Sequence, residues 1–355
     1  MKAKASKPPR VKAHGRKRKM KSTEMRLTPS PAAPAILNKA SLHADLSRVW
    51  GRLLESPDLT IDDDFFDKGG DSLLATEMLL ELERLIGRPI PKTLLFETST
   101  IRTLTDRLIR TEELQLKPAV KIRVASSPET PLVFFHGDWG NGGFYLQNLA
   151  RKLGPELPVI AIAPHGMPGE PMLQSIEAMA ADRLPSIMEA QPGGPYRLGG
   201  HCAGATVAFE TARLLLARGH QVELVAMVDP LWINDGELLT MPRQSASEVG
   251  SSEEIEIEAK RDDDCPPLPD LTDLTPDPIF EQYRDCLVRY SPAPLAVPLI
   301  IFTSEFDGRP WTRLGRDCEL FSVAGGHFDW VTIRAGAFAD KLKSRLQRMR
   351  AAAKQ

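Results

Sequence analysis

Apolar positions follow two different rhythms along this chain of 355 residues. Between residues 39 and 111 the spacing is helical. Leu42, Leu46, Val49, Trp50, Leu53 and Leu54 recur every three or four positions and form one apolar stripe. Met78, Leu82 and Leu85 mark a second amphipathic helix, which Gly87 is placed to close. Shorter helical stretches follow near residues 92–97 and 100–111, and four such helices predict a small bundle. From residue 119 onward the rhythm changes to short β-branched runs at Val120–Val124, Leu132–Phe135, Val159–Ile162, Val222–Val228 and Leu299–Thr303. Helical segments separate most of them, which predicts an α/β domain whose mostly parallel sheet is covered on both faces.

Three stretches depart from both rhythms. Residues 1–26 hold eleven Lys or Arg against the single acid Glu24, leaving 34 basic and 46 acidic residues in the remainder. With no apolar periodicity, residues 1–38 are expected to be a disordered basic tail. It reads as a solvated leader, with docking to an acidic partner or weak nucleic-acid contact as the alternative. Residues 112–118 read as a linker. Residues 231–278 are rich in Ser, Glu, Asp and Pro, and an insertion of that length inside a compact domain reads as a lid. No apolar run approaches the roughly 20 residues that span a bilayer, and the basic N-terminus lacks the apolar core of a secretory signal. Cys202, Cys265, Cys286 and Cys318 show neither CxxC spacing nor close pairing. Neither a disulfide framework nor a metal site is expected, and a reducing cytoplasm fits that usage.

The segment Asp67-Lys68-Gly69-Gly70-Asp71-Ser72-Leu73 puts a serine at the start of the second helix, after glycines that permit a tight turn. Taken alone, Ser72 reads as a helix N-cap, with Asp71 favourable beside the positive end of the helix dipole. The whole stretch DDDFFDKGGDSLLA, however, resembles the phosphopantetheine attachment site of peptidyl carrier proteins, a likeness that covers about residues 41–111. The resemblance implies a covalent 4′-phosphopantetheine on Ser72, added by a phosphopantetheinyl transferase.

Gly200-His201-Cys202-Ala203-Gly204 fits the nucleophile-elbow pattern with cysteine in the serine place. A candidate strand (Tyr196 to Leu198) precedes it and a helical run (Ala205 to Ala217) follows. A cysteine at such a helix start sits where the dipole favours thiolate. The other three cysteines read as core residues. The segment GGPYRLGGHCAGATVAFETARLLLARGHQVELVAMVD resembles the thioesterase domains that end nonribosomal peptide and polyketide synthetases, over about residues 118–350. That family has the α/β-hydrolase fold, so the resemblance implies such a domain with a lid insertion, preceded by a four-helix carrier bundle. It departs from the family pattern in having Cys202 where serine is usual.

The resemblance also implies the partners of Cys202. Asp229, 27 residues further on, corresponds to the catalytic acid and His327 to the late histidine, in the nucleophile–acid–histidine order of the fold. Asp307, after the next strand, is a rival acid. The backbone N–H groups of Ala203 and of Asp138, in the loop FFHGDWGNGG, are the expected oxyanion donors. The glycines of that loop (Gly137, Gly140, Gly142 and Gly143) lack the lysine of a P-loop and the spacing of a dinucleotide site. His136 and His201 flank the site and read as structural. The implied function is release of an acyl or peptidyl thioester by transfer to Cys202, followed by cyclisation, aminolysis or hydrolysis. Upstream adenylation and condensation modules would act in trans, or this chain is a piece of a longer polypeptide, with neither nucleic acid nor membrane as partner. An editing hydrolase, or a carrier scaffold with a degenerate hydrolase fold, are the alternatives.

Overall fold

A computed structural model describes residues 38–92, 94–110, 118–122, 129–139, 142–167, 170–234, 237–238, 254–256 and 278–354. The basic tail, nearly all of the 112–118 linker, most of the 231–278 insertion, Gly140 and Cys265 lie outside the described residues.

The first helix, α1 (Lys39–Leu53), starts at Asn38, whose side chain accepts from the Ala40 N–H at 2.9 Å. Such a cap satisfies a donor that has no carbonyl within the helix. Its apolar stripe is buried, and the Trp50 and Phe65 rings meet edge to face at 4.9 Å. Helix α2 (Ser72–Ile86) is capped by Asp71, which accepts from Leu73 N and Leu74 N at 2.9 Å each. Ser72 is therefore not the cap but the first helical residue. Gly87 closes α2 at φ 70°, a left-handed conformation that costs glycine least. The buried stripe of α2 is Ala75, Met78, Leu79 and Leu82, whereas Leu85 is half exposed. Helices α3 (Leu94–Glu97) and α4 (Ile101–Leu108) complete the bundle.

The second region is a sheet sandwiched by helices. In chain order it runs β1 (Ala119–Ile122), β2 (Leu132–Phe135), α5 (Tyr145–Leu153), β3 (Val159–Ile162), α6 (Ile176–Ala190), β4 (Tyr196–His201), α7 (Ala203–Ala217) and β5 (Val222–Val228). A small hairpin, β6 (Ile233–Asn234) and β7 (Glu237–Leu238), is followed by β8 (Glu254–Glu256), α8 (Pro278–Arg289), β9 (Pro298–Thr303), β10 (Arg316–Ser322) and α9 (Ala335–Ala352). The main sheet has the order β1-β3-β2-β4-β5-β9-β10-β8 and is parallel except for β1, which runs antiparallel to β3. Alternate residues serve opposite faces. Leu132 and Phe134 of β2 pack with α5 and α9, while Val133 and Phe135 pack with α6 and α7. That double burial is why these strands read as unbroken apolar runs. The arrangement is that of the α/β-hydrolase fold.

Two strands differ from the sequence reading. Strand β10 (RDCELFS) was absent from it, because its first half is polar and exposed and only Leu320, Phe321 and Ser322 are buried. Residues 254–256, assigned to the lid, instead pair in parallel with β10 and form the sheet edge.

The helical bundle and the sheet domain share one buried apolar cluster. Phe66 and Phe96 of the bundle lie 6.2 and 5.6 Å from the Phe144 ring, and Phe96 lies 6.4 Å from His136. No helix among the described residues is long and apolar enough to cross a membrane.

Candidate active site

Strand β4 ends in a reversal at Cys202, which holds φ 59° and ψ −135° before α7 begins. A non-glycine residue in that region is strained, and such strain persists only where neighbours impose it. Here two glycines do so. A Cβ on Gly200 would stand 2.4 Å from the Gly204 carbonyl oxygen, and one on Gly204 would stand 2.4 Å from the Phe135 carbonyl oxygen. A third glycine, Gly137, abuts Cys202, since its Cβ would lie 2.6 Å from Cys202 Cβ. The turn is pinned to the sheet by the Cys202 N–H, which donates to Val228 O at 3.0 Å.

Asp229 leaves β5 at φ 43° and is fully buried. Its carboxylate accepts from Ser304 N (2.7 Å), Ser304 Oγ (2.8 Å), Glu305 N (3.2 Å) and Phe306 N (3.3 Å). His327 Nδ1 lies 3.0 Å from its Oδ2. A buried carboxylate with that many donors is held in one orientation. The rival Asp307 is engaged elsewhere, bound through both oxygens to Arg309 at 2.8 and 2.7 Å.

His327 Nε2 is buried, and Cys202 bears directly on the imidazole. Burial depresses the imidazole, but the Cys202 charge, the hydrogen bonds to Asp229 and Cys202, and the Asp229 charge outweigh it. The His327 pKa is pushed up to about 10. His201 stacks on His327 with centroids 4.4 Å apart, and its Nε2 donates to the His327 carbonyl at 2.9 Å. Burial, then the charge of His327, hold His201 well below the usual histidine range. His136 is also fully buried, and desolvation takes it down to about 3. Both flanking histidines are thus neutral packing groups.

Ala203 opens α7, so its N–H lies in the first turn, where no helical carbonyl precedes it. Asp138 follows Gly137 in the loop that abuts Cys202, and its Oδ2 accepts from Gly143 N at 3.3 Å. The fold therefore gathers Cys202, Asp229, His327, Ala203 and Asp138, and leaves Asp307 aside. Sequence reading missed Ser304, whose hydroxyl also reaches Gly326 O at 2.8 Å and so ties the acid to the histidine loop. It also missed Tyr145, buried beside His201. Neither carries a sequence signal, because both depend on which loops the sheet order brings together.

Two family models match the chain. Residues 44–108 match the phosphopantetheine attachment site and residues 130–236 match the thioesterase domain. The chain joins a phosphopantetheine-carrier domain to a thioesterase domain. Indigoidine synthase of Dickeya dadantii (strain 3937) is 33% identical over 193 residues, 53% of this chain and 13% of that protein. Chondramide synthase cmdD of Chondromyces crocatus is 33% identical over 188 residues, 52% of this chain and 5% of that protein. The carrier–thioesterase chain thus spans a small fraction of the length of the curated relatives it matches. A four-domain nonribosomal peptide synthetase bound to AMP and glycine matches with a TM-score of 0.50 and 20% identity, over 91% of this chain and 27% of its own.

Away from this site, His165, Glu170 and Asp182 of the thioesterase domain place ligand atoms within 4.8 Å of one another. Both carboxylates are already paired with buried Arg183, at 2.6 and 3.0 Å, so a cation stands where a metal would.

Proposed function

We propose that the chain releases an acyl or peptidyl group from its own carrier domain by transfer to Cys202, as a step of nonribosomal peptide assembly. One observation carries this reading. A cysteine at a strained strand–helix turn, a buried histidine bearing on it and a fully buried aspartate occur in the same chain as an attachment-site domain.

Ser72 is the residue that would hold the 4′-phosphopantetheine. It follows Gly69, at φ 97°, and Gly70, where a Cβ would strike the Phe65 ring at 2.3 Å, so only glycines let the chain reach the helix start. When bound, the group supplies a thiol on a flexible arm that carries the acyl chain as a thioester. A phosphopantetheinyl transferase and upstream adenylation and condensation modules are the partners this requires.

In the first half-reaction His327 takes the Cys202 proton through Nε2, and Cys202 Sγ attacks the thioester carbonyl carbon. Asp229 fixes the tautomer through Nδ1 and steadies the imidazolium. The N–H groups of Ala203 and Asp138 receive the charge that develops on the carbonyl oxygen. His327 then protonates the leaving sulfur. In the second half it removes the proton of the attacking amine, hydroxyl or water. Because cysteine keeps the acyl group as a thioester, the first transfer is close to thermoneutral. The retained energy is available for an amide or a strained lactone, so release is proposed to be bond-forming rather than simple hydrolysis. Release of only free acid by the wild type, with no loss of rate in a Cys202→Ser variant, would count against that last step.

The decisive measurement is intact mass after loading Ser72 with an acyl-pantetheine, in wild type and in Cys202→Ala. Loss of the acyl group from wild type and its retention on the variant are expected, and the mass of the released product separates cyclisation from hydrolysis. Equal retention on both proteins would overturn the proposal.

A further inference from the structure

Among the buried polar groups that the proposed mechanism leaves without a task is Tyr145. Tyr145 opens α5, two residues after Gly143, and only 5% of it is exposed. Its hydroxyl is sealed from solvent, the Gly137 backbone N–H bears on its oxygen, and among the described residues no acceptor takes its proton. A buried O–H without an acceptor is rare in native structures and calls for an explanation. Its ring is wedged edge-on against His201 (5.7 Å) and Phe328 (6.2 Å), two of the rings that flank His327. The groups that bear on the phenol are the Gly137 backbone, Asp138 and Cys202. Gly137 in turn abuts Cys202 Cβ. The hydroxyl therefore sits at the corner formed by the nucleophile and the loop assigned the second oxyanion donor.

We propose that the Tyr145 hydroxyl is a third hydrogen-bond donor to the oxyanion formed at Cys202, beside the N–H groups of Ala203 and Asp138. The inference rests on the acyl-transfer reading above. A donor kept dry and unpaired in the resting enzyme, and paired only when the carbonyl oxygen gains charge, lowers the barrier without tightening substrate binding. Burial, then the Asp138 charge, raise the phenol well above its ordinary range, so it keeps its proton to donate throughout the working pH range. No proton leaves Tyr145 in this role. A rigid ring clamped between two aromatic neighbours holds the donor in place with little rotamer freedom to lose.

The test is Tyr145→Phe, which keeps the ring and its packing. Three quantities are read on the full chain: turnover of an acyl-pantetheine thioester, the pH profile of Cys202 alkylation by iodoacetamide, and the affinity of a peptide aldehyde that forms a tetrahedral hemithioacetal on Cys202. Removing one oxyanion donor typically costs about 100- to 1000-fold, and with two others remaining we expect kcat to fall by at least about tenfold at nearly unchanged KM. Aldehyde affinity should fall by a similar factor, while the alkylation profile stays in place. A kcat within about twofold of wild type overturns the inference. So does a shift of the alkylation profile that accounts for the whole loss, since the hydroxyl would then serve the resting thiolate. A wild-type chain that alkylates at Cys202 but turns over no thioester would instead remove the acyl-transfer reading, and this inference with it.

Discussion

Asp229 and Asp307 are equally acidic in the sequence, and only their surroundings separate them. Asp229 receives Ser304, Glu305, Phe306 and His327, whereas Asp307 spends both oxygens on Arg309. Asp229→Asn should lower kcat by about 100- to 10,000-fold, because the amide favours the wrong imidazole tautomer. Asp307→Asn should stay within about threefold, and steady-state kinetics of the two variants checks both. The pH dependence follows from His327. Its folded value of about 10 lies above the ordinary 6.5, so the folded chain binds this proton more tightly than the unfolded one. The resulting stabilisation is complete below about 6.5 and is lost as pH rises through about 10. In the proposed mechanism the protonated imidazole also protonates the leaving sulfur. The alkaline limb of kcat/KM, which reports the free enzyme, is therefore expected near 10 and not near neutrality, and a limb near 7 would mean that Cys202 does not act on His327.

At the scale of elements, the elbow between β4 and α7 is built by exclusion. Gly204→Ala would press a methyl carbon to within 2.4 Å of the Phe135 carbonyl oxygen, where strand backbone cannot yield. A loss of at least about 2 kcal/mol in denaturant-measured stability is expected, with Cys202 alkylation slowed. The glycines of this motif were legible in the sequence because each must fit against backbone. The buried strands were legible too, since residues packed on both faces leave unbroken apolar runs. Strand β10 was not, because an edge-side strand with a polar first half lacks that signature. Strand β8 was hidden for a different reason. Its Glu254-Ile255-Glu256 is held by parallel pairing with β10, a partner more than 60 residues away in the chain, and local sequence carries no trace of it.

Over the whole molecule, the carrier and thioesterase domains meet through Phe66, Phe96 and Phe144, and Phe144 neighbours Tyr145 on the oxyanion loop. Phe96→Ala removes the ring that reaches both His136 and Phe144. Unloading of a carrier-bound acyl group should slow by about tenfold or more, while a soluble acyl-pantetheine is turned over nearly as before. Calorimetry of the full chain should then resolve an earlier carrier transition that the wild type lacks, and equal slowing with both substrates would refute a docking role. The sequence by itself determined the two domains, the strand–turn–helix around Cys202, the glycines before Ser72 and the chain order of Cys202, Asp229 and His327. These depend on local spacing and on residue types that only a few backbone shapes admit. The tertiary structure decided which aspartate serves His327, and it set Ser304 behind that acid. It also sealed Tyr145 beside His201 and laid the carrier against His136 and Phe144. Each of those outcomes depends on which distant loops the strand order places side by side, and local spacing along one chain does not encode that.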